Sequence, residues 1–145
     1  HFIDSAGAVS GLNPVGRWID LGSGAGFPGI ALAARHPQLD VLLVESRDKR
    51  ASFLRQVVRA ADLNNVEVFH GRTEEIDGRF NGVISRAYRP PVDYLLDAER
   101  LLLPDGVAVL LSGEAAGSFE GWAVDNQHTY PVPGGLRTRT VFRRS

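Results

Sequence analysis

The sequence contains no cysteine and no methionine, and Lys49 is the one lysine among its 16 basic residues. Without thiols there is neither a disulfide framework nor a thiolate zinc site, and four scattered histidines predict no bound metal. A reducing, cytoplasmic setting is expected. No apolar run approaches the ~20 residues that cross a bilayer, and the amino end lacks a basic-then-apolar leader, so no membrane partner is expected. Charge of one sign is also scarce. The formal net charge is −1, which argues against a strong nonspecific polyanion binder and leaves room for a local basic face. A chain that opens at His1 and holds no methionine points to further residues upstream.

What is present describes one ordinary globular domain: 145 residues, 43% hydrophobic and 23% charged, enough to bury a real core. Arginine makes up nearly all of the basic charge, and it is the better residue for forked phosphate contacts and for stacking on bases.

The chain is organised around Asp20-Leu21-Gly22-Ser23-Gly24-Ala25-Gly26-Phe27-Pro28-Gly29. The apolar run Trp18-Ile19-Asp20-Leu21 predicts a buried strand that breaks into glycines before a helix over Ile30 to Arg35. Glycines permit positive φ and let a ligand approach the backbone, and the next helix offers unpaired amides. Asp40 to Glu45 is a second, continuous apolar strand of the kind buried in parallel sheets. Ser46 is placed to cap a helix whose apolar face is Ala51, Phe53, Leu54, Val57, Val58 and Ala61.

Val66 to His70 predicts a third strand and Gly82 to Ser85 a fourth; Pro90-Pro91 starts a helix through Leu102. Pro104-Asp105-Gly106 reads as a turn, Val107 to Leu111 as a fifth strand, and Gly113 to Gly121 as a loop with a short helix. Gln127 to Val132 and Arg137 to Phe142 form a terminal hairpin. Strands alternating with helices imply an α/β, doubly wound, mostly parallel sheet in a single domain over 1–145. Its parts are a lead-in over 1–16, a cofactor-binding βαβ core over 17–112, and a helix, loop and antiparallel hairpin over 113–145.

Two readings share the glycine turn. Gly24 to Gly29 satisfies the G-x-G-x-x-G dinucleotide fingerprint, with Glu45 about 20 residues on. The frame Asp20-x-Gly22-x-Gly24-x-Gly26 sets an acid ahead of the glycines, which suits a ligand with an ammonium group, such as S-adenosylmethionine, better than a pyrophosphate. A carboxylate ending the second strand, Glu45, is placed to accept both hydroxyls of a ribose.

The segments DLGSGAGFPGI (Asp20 to Ile30), ESRDKRASFL (Glu45 to Leu54), Asn65-Val66, Arg72-Thr73-Glu74-Glu75 and Ile84-Ser85-Arg86-Ala87 occur in an order that resembles the ribosomal small-subunit guanine-N7 methyltransferase family, also called the glucose-inhibited division protein B family. The likeness extends from His1-x-x-Asp4-Ser5 to Val132-Pro133 and Arg137. It implies a class I, Rossmann-like methyltransferase fold, S-adenosylmethionine as cofactor, and the N7 atom of a guanine in 16S ribosomal RNA as methyl acceptor. The implied cofactor residues are Asp20, Gly22, Ser23, Gly24, Gly26, Phe27, Glu45, Ser46, Thr73, Glu74 and Arg86. Arg86, His1 and Asp4 are the implied substrate-positioning residues. Guanine N7 carries a lone pair and no proton, so no general base is expected.

The chain departs from the family in three places. The sequence opens at H-x-x-D-S, where the family has a helical segment ahead of that motif, so a fragment or a minimal relative is expected; it has Ser112-Gly113 where a lysine-glycine pair usually ends the fifth strand, and Arg89-Pro90-Pro91 replaces small polar residues. A methyltransferase-fold binding module without RNA methylation activity, and a dinucleotide-dependent oxidoreductase, therefore stand as alternatives. Arg137, Arg139, Arg143 and Arg144 form either an RNA-facing edge or a solubilised outer strand.

Overall fold

A computed structural model of the chain describes residues 11–23, 27–86 and 88–145. Because Trp18, Ile19, Asp20 and Leu21 are all buried, β1 (Arg17–Leu21) must lie at the centre of a sheet covered on both faces. It pairs in parallel with β2 (Asp40–Glu45) on one side and β4 (Phe80–Arg86) on the other, so that Ile19 stands opposite both Leu42 and Val83. Outward from these, β3 (Val66–His70) pairs with β2 and β5 (Leu102–Ser112) with β4, both in parallel. The antiparallel pair β6 (Trp122–Val132) and β7 (Gly135–Arg144) completes a seven-stranded sheet of order β3-β2-β1-β4-β5-β7-β6.

The strand alternation sends side chains to two cores. Trp18, Leu43, Ile84 and Val109 pack with Leu32 and Ala33 of α1 (Phe27–Arg35) and Leu54 of α2 (Asp48–Ala60). Ile19, Leu21, Val83 and Leu110 pack with Tyr94, Leu95, Ala98 and Leu101 of α3 (Pro91–Leu101). Each fully buried aliphatic side chain contributes about 1.5–3 kcal/mol, so period-2 burial on both faces is what fixes the sheet. Tyr94 also anchors α3 by hydrogen bonds, its hydroxyl lying 3.0 Å from Val83 O and 2.7 Å from Val109 O.

Chain order runs outward from β1 through β2 to β3, then returns to β4 on the other side. The carboxyl ends of β1 and β4 therefore flank the point where winding reverses, which is where open α/β sheets bind ligands.

Several expectations are corrected in detail. Gly113 to Gly121 carries no helix; the chain crosses there irregularly, with Phe119 edge-on to Phe142 at 5.9 Å. Pro104-Asp105-Gly106 does not end an element. Phe80 pairs with Leu102 and Gly82 with Val107, so those residues bulge out of β5 and leave its ladder to resume. The hairpin strands are longer than the apolar pattern suggested because cross-strand pairs such as Trp122–Arg144 and Ala123–Arg143 extend them at their outer end.

Ser46 does not cap α2. Arg47 occupies that position in an extended conformation, and its amide donates to Glu45 Oε2 instead (2.8 Å). On α2, Ala51 and Leu54 are buried while Phe53 is 48% exposed.

Candidate functional site

The site starts with backbone geometry. Gly22 follows β1 with φ +65°, in the left-handed region that glycine adopts without a Cβ penalty. Ser23 then turns back on the sheet: its amide donates to Val44 O (2.9 Å) and its hydroxyl to Asp20 O (3.1 Å). Asp20, next to last in β1, reaches over to the start of α1, where Gly29 N–H donates to its Oδ2 at 2.9 Å. That approach needs a glycine, since a Cβ at Gly29 would lie 2.6 Å from Asp20 Oδ2 and 2.4 Å from Leu43.

Asp20 is 1% exposed, and its Oδ1 has no hydrogen-bond partner among the described residues. Burial pushes its carboxyl up to about 7; the Gly29 amide opposes this, Glu45 adds to it and Arg86 opposes it. A buried carboxylate with an open lone pair favours either a proton or a cation beside it.

Glu45 ends β2, also buried. Its side chain holds the Arg47 amide and its carbonyl accepts the Gly71 amide (3.0 Å), so the exits of β2 and β3 are tied together. Thr73 opens a 3₁₀ turn (Thr73–Glu75) after β3 and is buried, and Arg100 of α3 donates to its carbonyl at 2.9 Å. Gly22, Ser46 and Thr73 come together on one cleft of about 70 Å³, which Arg72, Tyr88 and Arg89 also line. Depressions of about 280, 310 and 500 Å³ lie elsewhere, and none is lined by Gly22, Asp20 or Glu45.

Asp20, Gly22, Ser23, Glu45, Ser46, Thr73 and Arg86 therefore sit at one edge of the sheet, with Arg86 half-buried at the end of β4 and electrostatically coupled to Asp20. Glu74 is at the same edge, exposed, and held by Arg89, which keeps its carboxyl below the usual range. Glu75 serves its own turn by accepting the Arg72 amide (2.8 Å). His1, Asp4, Gly24, Gly26 and the Phe27 side chain lie outside the described residues.

Sequence reasoning missed Tyr88 and Arg89. Tyr88 carries no motif, and the position of Arg89 was visible only as a departure before a double proline. The hairpin arginines do not form a free basic edge: Arg139 is buried, Arg143 Nε pairs with Asp125 (3.1 Å), and Arg144 donates to Glu99 O of α3.

Residues 1–123 match the family described as GidB, rRNA small subunit methyltransferase G. The chain is 36% identical over 148 residues to ribosomal RNA small subunit methyltransferase G 1 of Syntrophobacter fumaroxidans, covering 97% of this chain and 66% of that protein. It is 35% identical over 154 residues to the methyltransferase G of Xanthomonas oryzae pv. oryzae, covering 100% of this chain and 72% of that protein. The chain thus spans about two thirds of the length of these curated relatives.

Among solved structures it resembles the mitomycin 7-O-methyltransferase MmcR, with a TM-score of 0.80 and 14% identity over 99% of this chain and 54% of that one. It also resembles a precorrin-6y C5,15-methyltransferase of Geobacter metallireducens GS-15, with a TM-score of 0.74 and 14% identity over 97% and 86%. These two likenesses establish the methyltransferase fold, and the sequence matches carry the kinship further: the chain belongs to the GidB family, rRNA small subunit methyltransferase G.

Proposed function

We propose that the chain transfers a methyl group from S-adenosylmethionine to the N7 atom of a guanine in 16S ribosomal RNA, in the cytoplasm. Family membership supports the reaction class, and one observation supports the cofactor: the buried, unpartnered Asp20 Oδ1 beside the Gly22 turn, at the sheet's switch point. A ligand with a cationic tail satisfies that oxygen and lets Asp20 ionise, whereas a pyrophosphate would be repelled by it. The residues present fit the group.

In this reading Asp20 faces the cationic end, and the turn Gly22 and Ser23, continued by Gly24, Gly26 and Phe27, lets the ligand lie against backbone. Glu45 accepts the ribose hydroxyls, Ser46, Thr73 and Glu74 bound the adenine end, and Arg86 stands between cofactor and substrate. His1 and Asp4 remain assigned to the substrate side by family position. When bound, S-adenosylmethionine would supply an electrophilic methyl on a positively charged sulfur, with S-adenosylhomocysteine as the leaving group, and the lone pair of guanine N7 would accept it with no proton to remove. The chain's contribution is then binding, exclusion of water and in-line alignment at ~3 Å, and no side chain is assigned as a base. Arg47, Lys49, Arg50 and Arg72, all exposed around the same sheet edge, offer phosphate contacts for the RNA.

Thermal-shift and calorimetric titration with S-adenosylmethionine, S-adenosylhomocysteine and a nicotinamide dinucleotide separates the readings. Binding raises stability by mass action, about 2.7 kcal/mol at a hundred times Kd. Preference for the nicotinamide ligand would overturn the cofactor assignment. Binding of S-adenosylmethionine without labelled methyl transfer to small-subunit particles or their RNA would instead leave a binding module.

A further inference from the structure

The loop between β4 and α3 carries two side chains that the reaction above does not use. Arg89 bridges two carboxylates on different elements: one guanidinium nitrogen meets Glu74 in the 3₁₀ turn, and the other donates to Asp97 Oδ2 of α3 at 3.0 Å. A forked cation is suited to this, and a lysine would satisfy one acid at a time. The Asp97 side chain is only 12% exposed, so this half of the bridge is weakly screened.

Tyr88 lies under the bridge. The Arg89 guanidinium carbon sits 4.9 Å from its ring centroid, its hydroxyl donates to the same Asp97 oxygen, and its ring meets Tyr94 edge-on at 6.5 Å. Its other side fills the space that a side chain on Gly22 would take, since a Cβ there would come within 2.6 Å of Tyr88 Cβ. One continuous set of contacts therefore runs from α3 through Arg89 and Tyr88 to the β3 turn and the β1 turn. Its members Tyr88 and Arg89 line the same cleft as Ser46 and Thr73, and Tyr88 hydrogen-bonds the Thr73 side chain. The described part of that cleft measures about 70 Å³, and Tyr88 and Arg89 are two of its lining side chains.

We propose that Arg89 is a positioning residue for the cofactor pocket: by joining Glu74 to Asp97 it pins Tyr88 between the Gly22 turn and Thr73 and so sets the shape of the cleft. The inference rests on the S-adenosylmethionine reading of this site. It makes cofactor affinity depend on Asp97, a residue that does not line the cleft.

The test measures Kd for S-adenosylhomocysteine by calorimetry, together with melting temperature and methyl-transfer kinetics, in the full chain. Arg89→Gln and Asp97→Asn are each expected to raise Kd about tenfold, with kcat at saturating cofactor within about twofold of wild type, as expected when uniform binding is lost. The double variant should be no worse than Arg89→Gln alone, because both break one unit. Arg89→Lys should recover part of the affinity. Lowered melting temperature with unchanged Kd would show the bridge to be structural only and overturn the proposal, as would additive losses in the double variant. If wild type binds S-adenosylhomocysteine and the variants bind it equally, the positioning role alone fails; if wild type does not bind it, the cofactor reading fails and takes this inference with it.

Discussion

The carboxyl edge of the parallel strands and the terminal hairpin are both rich in arginine, yet the exposed basic side chains of the two regions are used differently. In the hairpin, buried Thr138 and Thr140 are paired with Thr129 (3.0 Å) and Gln127 (3.1 Å), and Arg143 and Arg144 bind Asp125 and the Glu99 carbonyl. At the strand ends, Asp20 keeps a buried oxygen without a partner, and Arg47, Lys49 and Arg50 make no ion pair among the described residues. Partner supply explains the difference. β6 and α3 bring acceptors alongside Arg143 and Arg144, whereas Arg47 and the first turn of α2 leave their cations exposed. A buried group left unsatisfied costs free energy, and at the Asp20 edge a ligand can meet it.

The sharpest test of this contrast is Asp20. Its carboxyl ionises at about 7 in the fold against an ordinary 3.8, so between those values the native state holds a proton that the unfolded chain has lost. The contribution of this group to stability therefore declines as pH rises from about 4 to about 7 and is flat above, with a total of at most about 4 kcal/mol. Asp20→Asn keeps an acceptor for Gly29 and removes the ionisation. Denaturant unfolding at pH 5 and pH 8 should show the variant gaining several kcal/mol relative to wild type at the higher pH. Its affinity for S-adenosylmethionine should fall and lose the weakening that wild type shows below pH 7. Equal stability differences at both pH values would show that Asp20 is not a strained, ligand-facing acid.

The next largest effect separates the two arginine sets directly. Neutralising Arg47, Lys49, Arg50 and Arg72 to glutamine should weaken RNA binding about a hundredfold and lower the slope of log K against log salt by about 3, at unchanged melting temperature. Neutralising Arg143 and Arg144 should leave that slope within experimental error. A salt slope that follows the hairpin set would reverse the comparison.

Most of the sheet was legible because burial leaves a pattern: β2 and the core of β5 are continuous apolar runs, β1 is apolar apart from Asp20, and glycines mark the turn after β1. Asp20 and Glu45 were legible by their place at strand ends. What was not legible depends on distant partners. Ser46 has the chemistry of a cap, but Glu45 reaches the helix start first. Pro104 to Gly106 has the composition of a turn, yet pairing with β4 on either side makes it a bulge. Arg89 gains its role only when folding brings Glu74 and Asp97 to it from 15 and 8 residues away. The hairpin arginines needed Asp125 and Glu99 beside them before their structural use could be read.

The smallest effect is at the Arg143–Asp125 pair, and its smallness is informative. The two side chains are 51% and 47% exposed, so water and salt screen the 3.1 Å contact. Such pairs contribute about 0.2–1 kcal/mol, and holding two long side chains in one geometry offsets part of that. Arg143→Gln should therefore lower the melting temperature by a few degrees at most, less still in high salt, and leave both S-adenosylhomocysteine and RNA affinity unchanged. A melting point that held while RNA affinity fell severalfold would mean that Asp125 merely parks this arginine for a polyanion. The hairpin would then belong with the strand-end rim as part of the interface, and the difference in how the two regions use their exposed arginines would fail at this residue.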